Sequence, residues 1–121
     1  MKYSITIALT ALLSSTQVIA DISPETKQEI AHLLEFVQNT TCKYDRNGEM
    51  HTGSEAVEHI QKKYNYFQDK VKTTEDFIRY SATKSELSGK HYRIHCQGKP
   101  IQNSASWLLE ELNSYRQSNK P

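Results

Sequence analysis

Cys42-Lys43-Tyr44-Asp45-Arg46-Asn47-Gly48-Glu49-Met50-His51-Thr52 is the stretch whose reading decides the fold. Asn-Gly between alternating residues is the strongest short-range hairpin signal, because both turn positions need a positive φ. A two-residue turn pairs Arg46 with Glu49, Asp45 with Met50 and Tyr44 with His51. Strand alternation then puts Cys42, Tyr44 and His51 on one face. The same register turns Met50 outward, which argues for a turn longer than two residues.

Working outward, Thr52-Gly53-Ser54-Glu55 fits a capping box, with Thr52 as cap and Glu55 reaching back. The helix it opens is expected to run to about residue 71, with Ala56, Val57, Ile60, Tyr64, Phe67 and Val71 as its apolar stripe. On the other side of the hairpin, Ser23-Pro24-Glu25 starts a helix expected over 21–41. Its stripe is Ile30, Leu33, Leu34 and Val37, and His32 falls on the opposite, solvated face. A short helix begins at Thr73 or Thr74, turning Phe77 and Ile78 inward. Residues 85–90 form a turn around Gly89. Residues 91–96 alternate as a half-buried strand: Tyr92, Ile94 and Cys96 inward, His91, Arg93 and His95 outward. The last helix starts near Asn103 or Ser104. It turns Leu108, Leu112 and Tyr115 inward and carries Trp107 at the rim, and 117–121 are a frayed tail.

The chain begins Met1-Lys2-Tyr3, continues through a short apolar run to Leu13, and reaches Val18-Ile19-Ala20 before Asp21. A positive start, about ten apolar residues and compact residues before the junction form a secretory signal, expected to be removed after Ala20. A bilayer span needs about twenty apolar residues. Lys2 is the one charged residue removed, so residues 21–121 balance their basic and acidic side chains. Zero net charge argues against nucleic-acid and membrane-surface roles. The expected product is an exported, monomeric single domain over 21–116.

Cys42 and Cys96 are the only cysteines. Outside the cytoplasm an even count implies pairing. The loop so closed holds about 55 residues, for which loop entropy gives roughly 4 kcal/mol as a ceiling. Both cysteines lie on inward strand faces, so adjacent strands bring them together. The fold expected is α+β: about four helices on a two- to three-stranded antiparallel sheet, with one disulfide.

The ordered set Tyr44-Asp45-Arg46-Asn47-Gly48, Glu55-Ala56-Val57-Glu58-His59-Ile60 with Lys63, Glu75-Asp76-Phe77-Ile78, Ser88-Gly89-Lys90 with Tyr92, and Trp107-Leu108 to Tyr115-Arg116 resembles the YfeK-like family of small exported bacterial proteins. That resemblance covers most of the chain after residue 20. It implies a bacterial periplasmic setting. It carries no catalytic residues, because the family is a domain of unknown function.

Candidate sites follow from the residues themselves. His51, Glu55 and His59 are spaced by four, but the capping box breaks the helical face and claims Glu55. His-Glu-x-x-His is absent, so no metal or cofactor is expected. His91, Arg93 and His95 make either a solvated outer face or an anion patch. The Arg46-Asn47-Gly48 tip, near His51, His59 and the start of the second helix, is the sharpest candidate for ligand or partner binding. A carboxylate, phosphate or peptide group of an envelope protein or cell-wall ligand would suit it. The ordinary alternative is turn geometry with a solvated Arg46. The function expected is a non-enzymatic binding or accessory protein. The alternative is a small envelope hydrolase using His51 or His59. Trp107 at the helix rim is a candidate for an exposed binding patch, with core filling the favoured alternative for a lone tryptophan.

Overall fold

The computed structural model describes residues 2–13 and 22–121. Residues 2–13 belong to no helix or strand and are exposed, whereas the expected cleavage site at residues 18–21 lies outside the described residues. No described helix is long and apolar enough to cross a membrane.

The chain forms the α+β fold expected of it. In order the elements are α1 (Pro24–Gln38), β1 (Lys43–Arg46), β2 (Glu49–His51), α2 (Gly53–Tyr66), a 3-10 turn (Gln68–Lys70), α3 (Thr74–Ser81), β3 (Arg93–His95), β4 (Gln102–Asn103) and α4 (Ser104–Ser118). The antiparallel sheet runs β2-β1-β3-β4. The two-residue strand β4 and the 3-10 turn are the elements the sequence pattern did not suggest. Strand β4 closes the sheet's far edge. It forms because the chain after Gly98 runs back along β3 and pairs Asn103 with Arg93 before α4 begins.

The hairpin has the two-residue turn, not a longer one. Asn47 sits at φ 55° and Gly48 at φ 85°, and the register is Arg46 with Glu49, Asp45 with Met50, Tyr44 with His51. A turn with both φ values positive matches the strands' own twist, so nothing is gained by lengthening it. Met50 is tolerated outward because the helices contact the sheet through its other face, and it is 48% exposed.

Tyr44 and Ile94 are paired across β1 and β3, and both are buried. The Tyr44 hydroxyl shares a 2.8 Å hydrogen bond with Ser104 and donates to the Ala82 carbonyl at 3.4 Å. Two residues along the same register, Cys42 and Cys96 are joined by a disulfide, their Cα atoms 4.4 Å apart. That spacing suits directly opposed residues of antiparallel strands.

Helix boundaries are set by caps. Ser23 accepts from the Thr26 amide, and α1 ends at Asn39. Thr52 and Glu55 close the expected capping box, as do Thr73 and Asp76 for α3. The second helix stops at Tyr66, short of the expected 71. The backbone tightens there into the 3-10 turn, with Lys70 N donating to Phe67 O, and Val71 reaches the core from that turn. The last helix continues to Ser118. Trp107 packs into the core against Phe36, ring centroids 4.6 Å apart, so it offers no exposed aromatic patch.

Two contacts had no signature in the sequence. His32 is only partly exposed: it hydrogen-bonds Glu111 at 2.8 Å and stacks on Tyr115, tying α1 to α4. Glu29 is buried, held by Arg116 at 2.7 and 3.0 Å and by the Thr74 hydroxyl at 2.6 Å. The Arg116 hydrogen bonds keep the Glu29 carboxyl below the usual carboxylate range against the opposing effect of burial.

Gly53 sits where α2 starts against the end of α1. A Cβ there would lie 2.2 Å from the Val37 carbonyl oxygen. Gly53→Ala is therefore expected to lower unfolding stability by about 2 kcal/mol, since helix backbone must shift to admit it. Removing both cysteines (Cys42→Ala with Cys96→Ala) is expected to cost about 3 kcal/mol. Urea unfolding of both variants checks these values. Midpoints equal to wild type would show that neither contact constrains the fold.

Candidate functional site

Strand β1 alternates through Tyr44, Asp45 and Arg46, so the last two side chains leave the sheet on opposite sides. Each organises a polar cluster, one under α2 and one on the open face.

Under α2, Arg46 is not the solvated fork at the tip that its position suggests. Its guanidinium turns back and donates from Nη1 to His59 Nδ1 at 2.6 Å, with Nη2 3.4 Å from His51 Nε2. Accepting at Nδ1 leaves the His59 proton on Nε2, which donates to the Tyr92 hydroxyl at 3.2 Å. Lys63 donates to that same hydroxyl at 3.2 Å and to the Lys84 carbonyl at 2.6 Å, with Glu86 at 3.5 Å. Burial, then the charges of Arg46, Lys63, His51 and Lys62, push the His59 imidazole down to about 4. His59 is therefore neutral across the physiological range.

This cluster brings Arg46, His51 and His59 together. Both nitrogens of His59 are occupied, and among the described residues the carboxylates nearest His51, Glu49 at 3.9 Å and Glu55, stand beyond hydrogen-bond distance. Glu55 stands 3.7 Å from His51 Nδ1, and the Thr52 cap, which holds its carboxyl low, takes one of its oxygens. Among the described residues no three His, Cys, Asp or Glu side chains are grouped to hold a metal.

On the open face Asp45 is buried although it points away from the core. Its carboxylate accepts from the Gly48 amide at 2.9 Å and from His95 Nε2 at 3.0 Å, with Arg93 at 3.9 Å. Asn47, the fourth candidate residue, joins this side. Its Oδ1 accepts from the Ser88 hydroxyl at 2.6 Å, tying the hairpin tip to the turn at 85–90. Ser88 Oγ in turn accepts from the Lys90 amide. Between the two turns lies an open cleft of about 450 Å³, lined by Asn47, Gly48, Gly89, Lys90, His91 and Arg93 over Asp45.

The outward alternation of His91, Arg93 and His95 was legible, but their roles divide. His95 is spent on Asp45, while His91 and Arg93 line the cleft. Lys63 and Tyr92 were not expected to act in a polar cluster, nor Lys90 in a cleft. For Tyr92 a signal existed: an inward tyrosine needs a partner for its hydroxyl. Nothing in the sequence links Asn47 to Ser88, 41 residues away.

Such a domain, with a disulfide-closed sheet and a polar cleft at its hairpin tip, belongs to a family of unknown function, DUF5329, whose match spans residues 24–116 and so both clusters. The chain is similar to the uncharacterized protein YfeK of Salmonella typhimurium strain LT2, with 30% identity over 86 residues, or 70% of this chain and 72% of that protein. No solved structure matches.

The depressed His59 value makes a pH prediction. A histidine held below its ordinary value of 6.5 contributes stability that is full above pH 6.5 and is lost as pH falls through 6.5 toward 4. The loss is on the order of 2 kcal/mol, discounted from the full shift because part of the ring meets solvent. Denaturant midpoints for wild type and His59→Gln should converge over that window. Parallel curves would show that the imidazole titrates freely.

Proposed function

We propose that the protein is exported, loses residues 1–20, and works in the periplasm as a non-enzymatic, monomeric binding or accessory protein for an anionic envelope partner. Export is supported by the apolar run after Lys2 and by the disulfide, which persists in oxidising compartments. Residues 2–13 lie exposed and outside every helix and strand, as a removable segment requires.

The observation that carries the binding role is the open face at the hairpin tip. Lys90 and His91 are exposed there, and Arg93 is 52% exposed. The one acid in the cleft, Asp45, already accepts from His95 and Gly48. Exposed cations without free counter-charges suit an acidic partner. Asn47 lines the same cleft, while Arg46, His51 and His59 lie behind it and fix the hairpin against α2. Those three act through geometry, not as contacts.

Retention of the disulfide-bonded protein on isolated envelope fragments tests this. Binding is expected to fall with salt and to weaken about tenfold in Lys90→Ala with Arg93→Ala, two charges having been removed. Arg46→Ala is expected to weaken it less. Retention that ignores both salt and the double substitution would sink the reading.

A further inference from the structure

The cleft's chemistry narrows the ligand. Every residue lining it is polar or glycine, so it offers no apolar wall for a peptide side chain or an acyl chain. Its donors are a guanidinium, an ammonium and an imidazole. His91, in an isolated bridge with Lys84, stands two residues before Arg93 at the start of β3, and Lys90 precedes it at the turn. A carboxylate has two acceptor oxygens and one charge, which a single arginine fork satisfies. The cleft supplies a second full cation and a third donor beyond that. A group with three free oxygens and nearly two negative charges uses all of them.

The walls fit a close-approaching anion. Gly48 and Gly89 both take positive φ, and the space where a Cβ would stand is open at each. Bare backbone therefore faces the cleft from both turns. The Asn47–Ser88 hydrogen bond holds the turns together, so the walls are formed before any ligand arrives. Asp45 lies beneath Arg93, and its carboxylate already accepts from His95 and the Gly48 amide, so its oxygens are turned to partners within the fold.

We propose that the cleft between the Asn47-Gly48 turn and the Gly89 turn is a site for a phosphate monoester, gripped by the Arg93 fork with Lys90 and His91 beside it. This rests on the reading of the open face as the binding surface and names the group it recognises. The phosphate can belong to a free metabolite or to a lipid headgroup, and the chemistry of capture is the same.

Two-dimensional amide spectra of the 15N-labelled, disulfide-bonded protein test it at constant ionic strength. The probes are inorganic phosphate, glycerol 3-phosphate and acetate, with sedimentation on phosphatidic acid vesicles as a separate arm. Saturable shifts are expected at Gly48, Gly89, Lys90, His91 and Arg93 with both phosphates. Acetate should bind about tenfold more weakly. Lys90→Ala, whose side chain makes no hydrogen bond or ion pair among the described residues, should weaken phosphate several-fold, and Arg93→Lys about tenfold, each with the rest of the spectrum in place. Vesicle binding that disappears in these variants assigns the headgroup source, and soluble phosphates alone assign the free one. Non-saturating shifts, equal affinity for acetate, or indifference to both substitutions overturns the inference. If envelope retention still depends on Lys90 and Arg93 in that case, the binding-face reading survives without a phosphate ligand.

Discussion

The pairing of β1 with β3 is the constraint on which the rest of this small domain depends. It joins residues about fifty positions apart, so its register must be fixed by something stronger than three backbone pairs. The Cys42–Cys96 bond fixes one end. Tyr44 fixes the middle, buried opposite Ile94 with its hydroxyl satisfied by Ser104 and Ala82. A one-residue slip would turn Tyr44 and Ile94 to solvent and bring Asp45 inside. The disulfide and the buried hydroxyl thus reject the same error by different means, one covalent and one through the cost of an unmade hydrogen bond.

Helices close over one side of that sheet and are tied to one another by charge as well as by packing. Glu29 from α1 meets Arg116 from α4, which also reaches Glu75 on α3 at 2.6 Å. A buried carboxylate is costly unless charges and donors surround it, and this one has both. His32 with Glu111 repeats the α1–α4 link nearby. These pairs specify which helices adjoin, while Leu33, Phe77 and Leu108 supply the buried apolar surface.

Much of this was legible where local chemistry dictates structure. Ser23-Pro24, Thr52 with Glu55, and Thr73 mark helix starts that the chain uses. Asn47-Gly48 marks a turn it makes. The alternation from His91 to Cys96 put Tyr92 and Ile94 on the buried side. What escaped the reading is long-range polar pairing. A glutamate in a helix gives no sign that an arginine 87 residues on will bury it. Arg46 escaped for a related reason. Its neighbours suggested a free fork at a tip, but inward alternation and an imidazole on the facing helix turn draw it under α2. Strand β4 is too short for any periodicity to show.

The candidate site follows from three consecutive residues on one strand and its turn. Asp45 goes to the open face, Arg46 goes under α2, and Asn47 crosses to Ser88. Arg46 meets no carboxylate, and its Nε is buried without a partner. Its guanidinium is held by His59 and His51, which fix it in place. It therefore works as a strut for the hairpin more readily than as a receptor for a ligand, since His59 already fills its best donor direction. On the other side the balance reverses. There the acid is the group enclosed and satisfied, and the cations Lys90 and Arg93 face water. The hairpin tip thus encloses its acid and leaves its cations exposed at the cleft mouth, which is why binding chemistry is assigned to the open face and not to the histidine cluster behind it.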